Sequence, residues 1–528
     1  MSLLLGVDAG TTSLKVGLFD STGTELATAG GEYTLSTPEP AWAELDAQLY
    51  WNALASAVPR VLRMARVSGS EVAALAVSSQ GETVLPVSKS GEALAPAIVW
   101  LDNRAVDEAR EIAEQLDDVT VYAATGVPAV VPTWPACKLL WWKHHAPEIF
   151  GRAAHFPLVE EYLLQRLTGR FVSEAGVQST SLCYDIVHHR WWDPVLQILD
   201  IEPSRFGELV MPGDVVGTLM PSAAQALGLS TAVLVTAGGM DQSVGAVGVG
   251  NIAPGMLSES TGGALTLQAS VVRADGDRSR QIPVYIHSAP ASYLYCPVCP
   301  TGGMTLTWFR DHFAGLELLR AEAAGSSAYD LLTDLAAQVP PGADGLTMLP
   351  HLSGAFSPEY EPAARGVFFG FTLGHGREHF VRAILEAVAF MLRRNLELLS
   401  GIGAGASEIR SHGGGAQSAL WNQIKADVCS LPVLTLRGRE AAVRGDAMLA
   451  GVASGAFANL EQARDAMVQP AARFDPDGDT RQAYEVAYRR YIDLFDTVRP
   501  LFGETDNARG ECNQSTDPTG SRSLKELT

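Results

Sequence analysis

The fold of this chain is decided by a stretch near its amino terminus, Leu5-Gly6-Val7-Asp8-Ala9-Gly10-Thr11-Thr12-Ser13-Leu14-Lys15. It joins two apolar runs, and this pattern predicts a β-hairpin whose turn is Gly10-Thr11-Thr12. Glycine and small hydroxyl residues let backbone N–H groups approach an oxyanion, and the Asp8 carboxylate stands beside them. The combination is typical of phosphate and magnesium chemistry.

A similar turn occurs midway along the chain, at Ala237-Gly238-Gly239-Met240-Asp241-Gln242. It is followed by Ser258-Glu259-Ser260-Thr261-Gly262-Gly263, which again places glycines after a strand-like run. Because the two turns lie in different halves of the chain, they predict two lobes that close over a nucleotide.

The length supports this division, since 528 residues are too many for one hydrophobic core. Strand-like and helical segments alternate, which favours an α/β class. We expect an amino-terminal domain over residues 1–247, a carboxy-terminal domain over 248–502 and a glycine-rich hinge near 244–254. Residues 503–528 are polar and lack apolar periodicity, so we expect a disordered tail.

The charge and the apolar pattern exclude several classes of partner. The chain carries 38 basic and 59 acidic side chains, a net charge of −21 that repels nucleic acid and anionic membranes. Its start lacks the basic region of a signal peptide, and no apolar run approaches the roughly 18 residues of a membrane span. We therefore expect a cytoplasmic protein that binds neither nucleic acid nor membrane.

Six cysteines in so long a chain do not indicate a disulfide framework. Cys296 and Cys299 form a CxxC pair, but no second pair or histidine cluster completes a zinc site. A metal or redox role for this pair stays open beside the simpler interpretation, which is buried thiols at a strand end.

Two common phosphate-binding designs do not fit the sequence. A Walker A loop ends in Gly-Lys-Ser/Thr, and the chain contains no Gly-Lys pair. A dinucleotide-binding fingerprint leads from a strand into a helix, whereas Asp8 to Thr12 leads into another strand. The remaining design is the strand-hairpin phosphate loop of the actin and hexokinase superfamily.

From residue 3 to 501 the chain resembles the FGGY carbohydrate kinases. The motifs that carry the resemblance are Asp8-Ala9-Gly10-Thr11-Thr12, Trp42-Ala43-Glu44-Leu45-Asp46, Lys138-Leu139-Leu140-Trp141, Gly239-Met240-Asp241-Gln242, Gly366-Val367-Phe368-Phe369-Gly370, Leu385-Glu386, and His412 to Gln417 with Trp421-Asn422. The resemblance implies two ribonuclease H-like domains around a central cleft and an ATP- and Mg²⁺-dependent sugar kinase.

The resemblance also implies site residues. Asp241 is expected to be the general base that accepts the proton of the attacking substrate hydroxyl, and Asp8 is expected to hold Mg²⁺, mainly through water. The expected nucleotide-binding residues are Gly10, Thr11, Thr12, Thr261, Gly262, Gly303, Gly414, Gly415, Gln417 and Asn422. Lys15 is expected either in the cleft or in solvent.

The expected substrate-binding residues are Gln80, Gly81, Glu82, Trp100, Asp241 and Gln242. Gln80-Gly81-Glu82-Thr83 is similar to the Gln-Arg-Glu-Thr of glycerol kinases with Gly81 in place of arginine, which predicts room for a ligand larger than glycerol. Trp100 is expected to cover the carbon face of the sugar, although a large core residue is the alternative. A pentulose such as xylulose is the preferred substrate, and a glycerol, tetritol or pentitol kinase is the alternative.

Two further classes remain open at this point. The superfamily includes nucleotide-driven chaperones and filament proteins, which lack an aspartate beside a polyol loop. A catalytically inactive sensor of sugar or nucleotide is the other, and the intact Asp8 and Asp241 argue against it. A homodimer is an expectation of the resemblance alone.

Overall fold

The computed structural model describes residues 2–514, with side chains described for residues 2–503. The last helix runs through Gln514, so the predicted tail begins as helix rather than as disordered chain. Residues 515–528 of that tail lie outside the described residues.

The first half of the chain contains twelve strands and ten α-helices in the described range. The strands are β1 Leu3–Ala9, β2 Ser13–Asp20, β3 Glu25–Glu32, β4 Glu44–Leu45, β5 Val72–Ser79, β6 Ala97–Ile98, β7 Val172–Glu174, β8 Tyr184–Asp185, β9 Arg190–Trp191, β10 Glu208–Val210, β11 Val215–Thr218 and β12 Leu234–Met240. The helices are α1 Ala47–Ala65, α2 Val106–Gln115, α3 Asp118–Thr125, α4 Pro135–His145, α5 Pro147–Arg152, α6 Val159–Thr168, α7 Ala175–Gln178, α8 Asp193–Leu199, α9 Pro221–Leu227 and α10 Asp241–Gly248.

The second half continues with strands and longer helices. The strands are β13 Leu257–Thr261, β14 Leu265–Val271, β15 Val284–Ile286, β16 Tyr293–Tyr295, β17 Val298–Cys299, β18 Thr347–Leu349, β19 Val367–Phe369, β20 Ile409–His412, β21 Val433–Leu436 and β22 Pro470–Phe474. The helices are α11 Met304–Phe313, α12 Gly315–Ala324, α13 Ala328–Ala336, α14 Arg377–Gly401, α15 Ala419–Cys429, α16 Ala441–Ala453, α17 Leu460–Met467 and α18 Arg481–Gln514.

The two main sheets repeat one arrangement, which confirms the predicted α/β fold with two similar lobes. In the first sheet the order is β11-β12-β5-β1-β2-β3, with β1 antiparallel to β2 and parallel to β5. In the second sheet β13 is likewise antiparallel to β14 and parallel to β20, which pairs in parallel with β21. Each lobe therefore opens with a hairpin whose turn lies at the carboxyl end of a parallel strand, where ligands bind in α/β sheets.

Each lobe has its own apolar core, and a third cluster joins them. Leu4 and Phe19 of the first sheet pack with Val244 of α10 and with Val443 and Met448 of α16. The helix α16, although late in the sequence, therefore covers the sheet of the first lobe.

Glycines allow α16 to pack closely on both β1 and α10. A Cβ built on Gly6 would lie 1.8 Å from the Val443 carbonyl oxygen, and one built on Gly445 would lie 2.0 Å from the Val244 carbonyl oxygen. Any larger residue at either position would force the backbones apart. The hinge predicted at 244–254 is wrong for its first part, because α10 is regular and buried through Gly248.

No helix within residues 2–514 is long and apolar enough to cross a bilayer. Cys137, Cys183, Cys296, Cys299 and Cys429 are free thiols. Cys296 and Cys299 are buried near strand β17, as expected for strand-end thiols.

Candidate active site

The first phosphate turn lies between β1 and β2, as the sequence predicts. Strand pairing ends at Ala9 and Leu14, and the Gly10 N–H donates to the Ser13 carbonyl at 3.0 Å. The backbone N–H groups of Thr11 and Thr12 have no acceptor within the described residues. Both are therefore available to the oxygens of a nucleotide phosphate.

Asp8 lies at the foot of this turn with one carboxylate oxygen unsatisfied. Its Oδ1 is buried and has no hydrogen-bond partner in the part of the chain that the structure describes. The pKa of Asp8 is raised to about 7, mainly by burial and also by the nearby Asp241 carboxylate, while the Lys15 ammonium opposes both. A bound cation would reverse this effect, since it favours the ionised carboxylate.

Asp241 is the first residue of α10 and follows an irregularity in β12. The pairing of β12 with β5 shifts between Ala237 and Gly239, and Gly239 has φ +124°, a conformation that favours glycine. The Asp241 Oδ1 accepts the Gln242 N–H at 2.6 Å. Burial raises the pKa of Asp241 to about 7, and the charge of Glu82 also raises it. The structure thus brings Asp8, Glu82 and Asp241 together, although they are far apart in sequence.

The loop after β5 supplies the predicted sugar residues Gln80 and Glu82. Gln80 is buried, and its amide donates to the Tyr50 hydroxyl at 2.9 Å while its Oε1 has no partner within residues 2–503. Glu82 has φ +55°, an uncommon backbone conformation for a residue with a side chain. Burial raises the pKa of the Glu82 carboxyl, and the charge of Lys138 opposes that effect.

The space predicted at Gly81 is not open to a ligand. A Cβ built on Gly81 would lie 2.9 Å from Thr180 Oγ1 and 3.0 Å from Thr180 Cγ2. Thr180 therefore fills the volume that the missing arginine was expected to leave. The sequence argument for a larger sugar from Gly81 is wrong in this respect.

Trp100 links the sugar side to the phosphate turn. Its indole N–H donates to Thr11 Oγ1 at 2.9 Å, and its backbone N–H donates to Thr83 Oγ1 at 3.1 Å. The side chain is 37% exposed, so it is not a core residue. This geometry favours the predicted position at the wall of the site.

Gln242 is directed away from the position predicted for it. Its Oε1 accepts from Thr266 Oγ1 at 2.9 Å and from Gln268 Nε2 at 3.0 Å, both on β14. Only its amide nitrogen remains for a substrate.

The expected role of Thr261 in phosphate binding is also corrected. Thr261 is fully buried, and its hydroxyl donates to Glu259 Oε2 at 2.7 Å and accepts from Lys425 Nζ at 2.9 Å. The hydroxyl therefore cannot reach a phosphate. Gly262, the next residue, is exposed, and its carbonyl accepts the Gly303 N–H at 2.8 Å.

The nucleotide loop after β20 divides into exposed and buried members. Gly414 and Gln417 are exposed, whereas Gly415 packs on Thr261, with a built Cβ only 2.7 Å from the Thr261 Cβ. Asn422 is buried, and its amide donates to the Ala416 carbonyl at 2.8 Å, whereas its Oδ1 has no partner among the described residues. Beside the loop lies a cavity of about 130 Å³ lined by Ser411, His412, Gly413, Ala416, Gln417, Thr435, Leu436, Gly438, Arg439, Ala441, Arg444 and Ala471.

Lys15 reaches across the cleft to the second lobe. Its Nζ lies 2.6 Å from Glu440 Oε2, at the start of α16. Of the two expected positions, the structure selects the cleft, where Lys15 is ion-paired and partly exposed.

Sequence reasoning missed Tyr285 and the nearness of the buried Cys296 to Met240 and Asp241. Tyr285 and Cys296 pack with Met240, directly before Asp241, and their pKa values respond to the charges of both Glu82 and Asp241. The Tyr285 hydroxyl has no hydrogen-bond partner among the described side chains and backbone. No local motif marks these positions, because they come from strands more than 40 residues after Asp241.

A Mg²⁺ ion fits the residues present. Asp8 offers an unsatisfied carboxylate oxygen, which is the ligand type that Mg²⁺ prefers. Within the described residues no group of three or more acidic, histidine or cysteine side chains could enclose a metal. Water and nucleotide phosphates would therefore complete the coordination, which is usual for this ion.

Two facing phosphate turns in a doubled α/β fold define a nucleotide-dependent phosphotransferase of the actin and hexokinase type. Residues 3–248 match the N-terminal domain of the FGGY family of carbohydrate kinases, and residues 277–454 match its C-terminal domain. The chain belongs to this family and is an ATP-dependent sugar kinase.

Individual relatives span almost the whole chain. A gluconokinase from Bacillus subtilis is 28% identical over 494 residues, covering 93% of this chain and 95% of that protein. A xylulose kinase from the same organism is 27% identical over 501 residues, covering 95% and 98%. The solved structure of xylulose kinase from Rhodospirillum rubrum superimposes with a TM-score of 0.84 at 29% identity, covering 95% of this chain and all of that one.

Proposed function

We propose that the protein transfers the γ-phosphate of Mg-ATP to a primary hydroxyl of a pentulose such as xylulose, with Asp241 as the general base. The observation that carries this proposal is the convergence of Asp241 with Asp8 and Glu82 in one cleft. A base must lie within hydrogen-bond reach of the attacking hydroxyl, and its pKa should lie near the working pH. The pKa of Asp241 near 7 supports the second requirement, and its partial exposure supports the first.

The remaining groups have complementary roles in this proposal. Asp8 would hold Mg²⁺, and the ion would supply positive charge to the phosphates. The N–H groups of Thr11 and Thr12 donate to phosphate oxygens, and the exposed Gly262 and Gly414 let the nucleotide approach the second lobe. These roles rest on the free donors and the exposed backbone at each turn.

The charge of the sugar side supports a neutral substrate over gluconate. Glu82 and Asp241 place two carboxyl groups there, and the one nearby ammonium, on Lys138, donates to backbone carbonyls. A substrate carboxylate beside two acidic groups would be repelled. The gluconokinase relative nevertheless makes gluconate the candidate to test directly against xylulose.

An unsatisfied polar group on the sugar side supports a pentulose over glycerol. Gln80 Oε1 is buried and has no hydrogen-bond partner among the described residues, so it is available to a further substrate hydroxyl. Glycerol has only two hydroxyls left after the reacting one, and unsatisfied buried polar groups cost affinity. A tetritol or pentitol remains the alternative substrate.

A coupled ADP-release assay tests the proposal with D-xylulose, L-xylulose, D-ribulose, gluconate, erythritol, xylitol and glycerol. We expect the highest kcat/KM for a pentulose. A lead of tenfold or more for gluconate or glycerol would refute the substrate class but keep the kinase. Absence of sugar-dependent ADP release, with ADP still bound, would instead support the inactive sensor.

Three further expectations belong to this proposal, namely domains at 1–247 and 248–502, a homodimer and a cytoplasmic location. Limited proteolysis, light scattering and cell fractionation test them in turn.

A further inference from the structure

Two lysines are fully buried, one beside each half of the candidate site. The side chains of Lys138, on α4, and Lys425, on α15, have no exposed surface. A buried ammonium is costly unless it is fully hydrogen-bonded or paired. The partners of each lysine therefore show what the fold uses it for.

Lys138 joins the two segments that form the sugar side. Its Nζ donates to the Glu82 carbonyl at 2.8 Å and to the Val99 carbonyl at 3.0 Å. The first carbonyl belongs to the residue with φ +55°, and the second immediately precedes Trp100. One ammonium thus holds the strained Glu82 backbone and the Trp100 segment at a set separation.

Lys425 plays the corresponding part under the nucleotide turns. Its Nζ lies 2.6 Å from Glu259 Oε1 and 2.9 Å from Thr261 Oγ1. The Ser411 hydroxyl, on the strand that leads into the nucleotide loop, also donates to Glu259 Oε1. The pair therefore ties the second phosphate turn to the nucleotide loop, where Gly415 packs directly on Thr261.

We propose that Lys138 and Lys425 are positioning residues, Lys138 for the sugar half-site and Lys425 for the nucleotide half-site. Neither ammonium is placed to touch the reacting atoms, since each is enclosed by its own partners. The inference rests on the proposed function for the assignment of both the sugar side and the nucleotide side.

Lys138→Met and Lys425→Met test the inference, because each is expected to weaken the binding of a different ligand. Methionine keeps most of the side-chain length and removes the ammonium. The full-length protein is assayed for the KM of its best sugar, the KM of ATP and the Kd of MgADP without sugar. Lys138→Met is expected to raise the sugar KM about tenfold or more, the usual effect of losing a hydrogen bond to a charged group, with the ADP Kd within about threefold. Lys425→Met is expected to show the reverse pattern.

If the lysines only stabilised the fold, each variant would lower the fraction of active enzyme and hence kcat. The KM of the sugar and the KM of ATP would then not change in opposite ways between the two variants. Equal effects on both ligands, or unchanged KM values with lower kcat, would overturn the inference. If either variant does not fold, Thr83→Val and Ser411→Ala take their place, since each removes one neighbouring hydroxyl. Thr83→Val is expected to raise the sugar KM about threefold, and Ser411→Ala is expected to raise the ADP Kd about threefold. The inference fails if these milder variants show no split.

The outcome is separable from that of the proposed function. If the best sugar is not a pentulose, the substrate proposal fails while the crossed pattern is measured with the sugar that is used. If no sugar is phosphorylated, the proposed function fails. The role of Lys425 at the nucleotide half-site is then still tested by comparing the Kd of MgADP for Lys425→Met with that for Lys138→Met.

Discussion

Replacing Asp241 by asparagine removes the proposed base with little other change. Asparagine has nearly the same size and can still accept the Gln242 N–H that Asp241 accepts at 2.6 Å. It cannot take a proton from the substrate hydroxyl. Asp8 and Glu82 are the nearby carboxyl groups, but Asp8 belongs to the phosphate turn and Glu82 to the loop after β5, so we expect neither to replace the base.

The expected size of the effect follows from two quantities. Loss of a general base costs about 10²- to 10⁴-fold in kcat. The pKa of Asp241 is about 7, so the ionised, active fraction rises from about one in eleven at pH 6 to about ten in eleven at pH 8. Wild-type kcat/KM should therefore rise about tenfold over this interval, whereas the residual activity of Asp241→Asn should be nearly independent of pH. Coupling to Asp8 and Glu82 makes the observed pKa a property of the group of carboxyls.

The assay is coupled ADP release at pH 6, 7 and 8 under saturating MgATP, with the Kd of MgADP measured in parallel. The matched control is Asp8→Asn, which removes a neighbouring carboxylate but leaves the base. Its defect should diminish as Mg²⁺ is raised, whereas that of Asp241→Asn should not. A kcat for Asp241→Asn within about threefold of wild type would remove Asp241 from the mechanism.

Further expected outcomes concern the cleft and its titration. Asp8→Asn should raise the Mg²⁺ concentration for half-maximal activity several-fold, and an unchanged requirement would remove Asp8 from the metal site. Trp100→Phe loses the indole hydrogen bond to Thr11, and it should lower kcat by about fivefold, with no additional loss in the double variant with Thr11→Val. The carboxyls of Asp8, Glu82 and Asp241 have pKa values of about 7 in the folded protein, against about 4 in the unfolded chain. The folded state therefore binds protons more tightly, and the stability that this binding contributes at low pH is lost as the pH rises through about 7. Melting curves from pH 5 to 8 should show a shallower decline for Asp241→Asn, and identical slopes would refute the assignment. Small-angle scattering should show a smaller radius of gyration with sugar and a non-hydrolysable ATP analogue, and an unchanged profile would exclude lobe closure.

Local chemistry made much of the fold predictable. The turn at Gly10 and the hairpin around it follow from glycine between two apolar runs. Asp46 is of a residue type that favours helix N-caps, and its carboxylate accepts the Gln48 N–H at 2.9 Å at the start of α1. Ser418 likewise caps α15, since its side chain accepts the Trp421 N–H. Each signal lies within a few residues of the feature it predicts.

Side-chain direction was less predictable, because it depends on partners from other segments. Gln242 turns to β14, and Gly81 meets Thr180, about a hundred residues later. The buried hydroxyl of Thr261 could have been foreseen in part. Glu259 and Thr261 are two apart on one strand, so they share a face, and a carboxylate on that face is a natural acceptor for the hydroxyl. The sequence does not show that Lys425 pairs with Glu259. This ion pair offsets the cost of burying the Glu259 carboxylate.

The filling of the Gly81 space by Thr180 also changes where substrate selection must arise. If the first lobe offers no extra room beside Glu82, discrimination falls to groups from other segments, and we expect Tyr285 and Cys296, whose pKa values respond to the Glu82 charge, to be among them. Both belong to the second half of the chain, whereas Gln80 and Glu82 belong to the first. A sugar that contacts Glu82 and Tyr285 together therefore bridges the two halves, and its contacts contribute free energy to the closed arrangement of the cleft. In such a site we expect the choice of substrate and the exclusion of water from the γ-phosphate to depend on the same contacts, since a ligand that does not contact both halves adds no free energy to the closed arrangement.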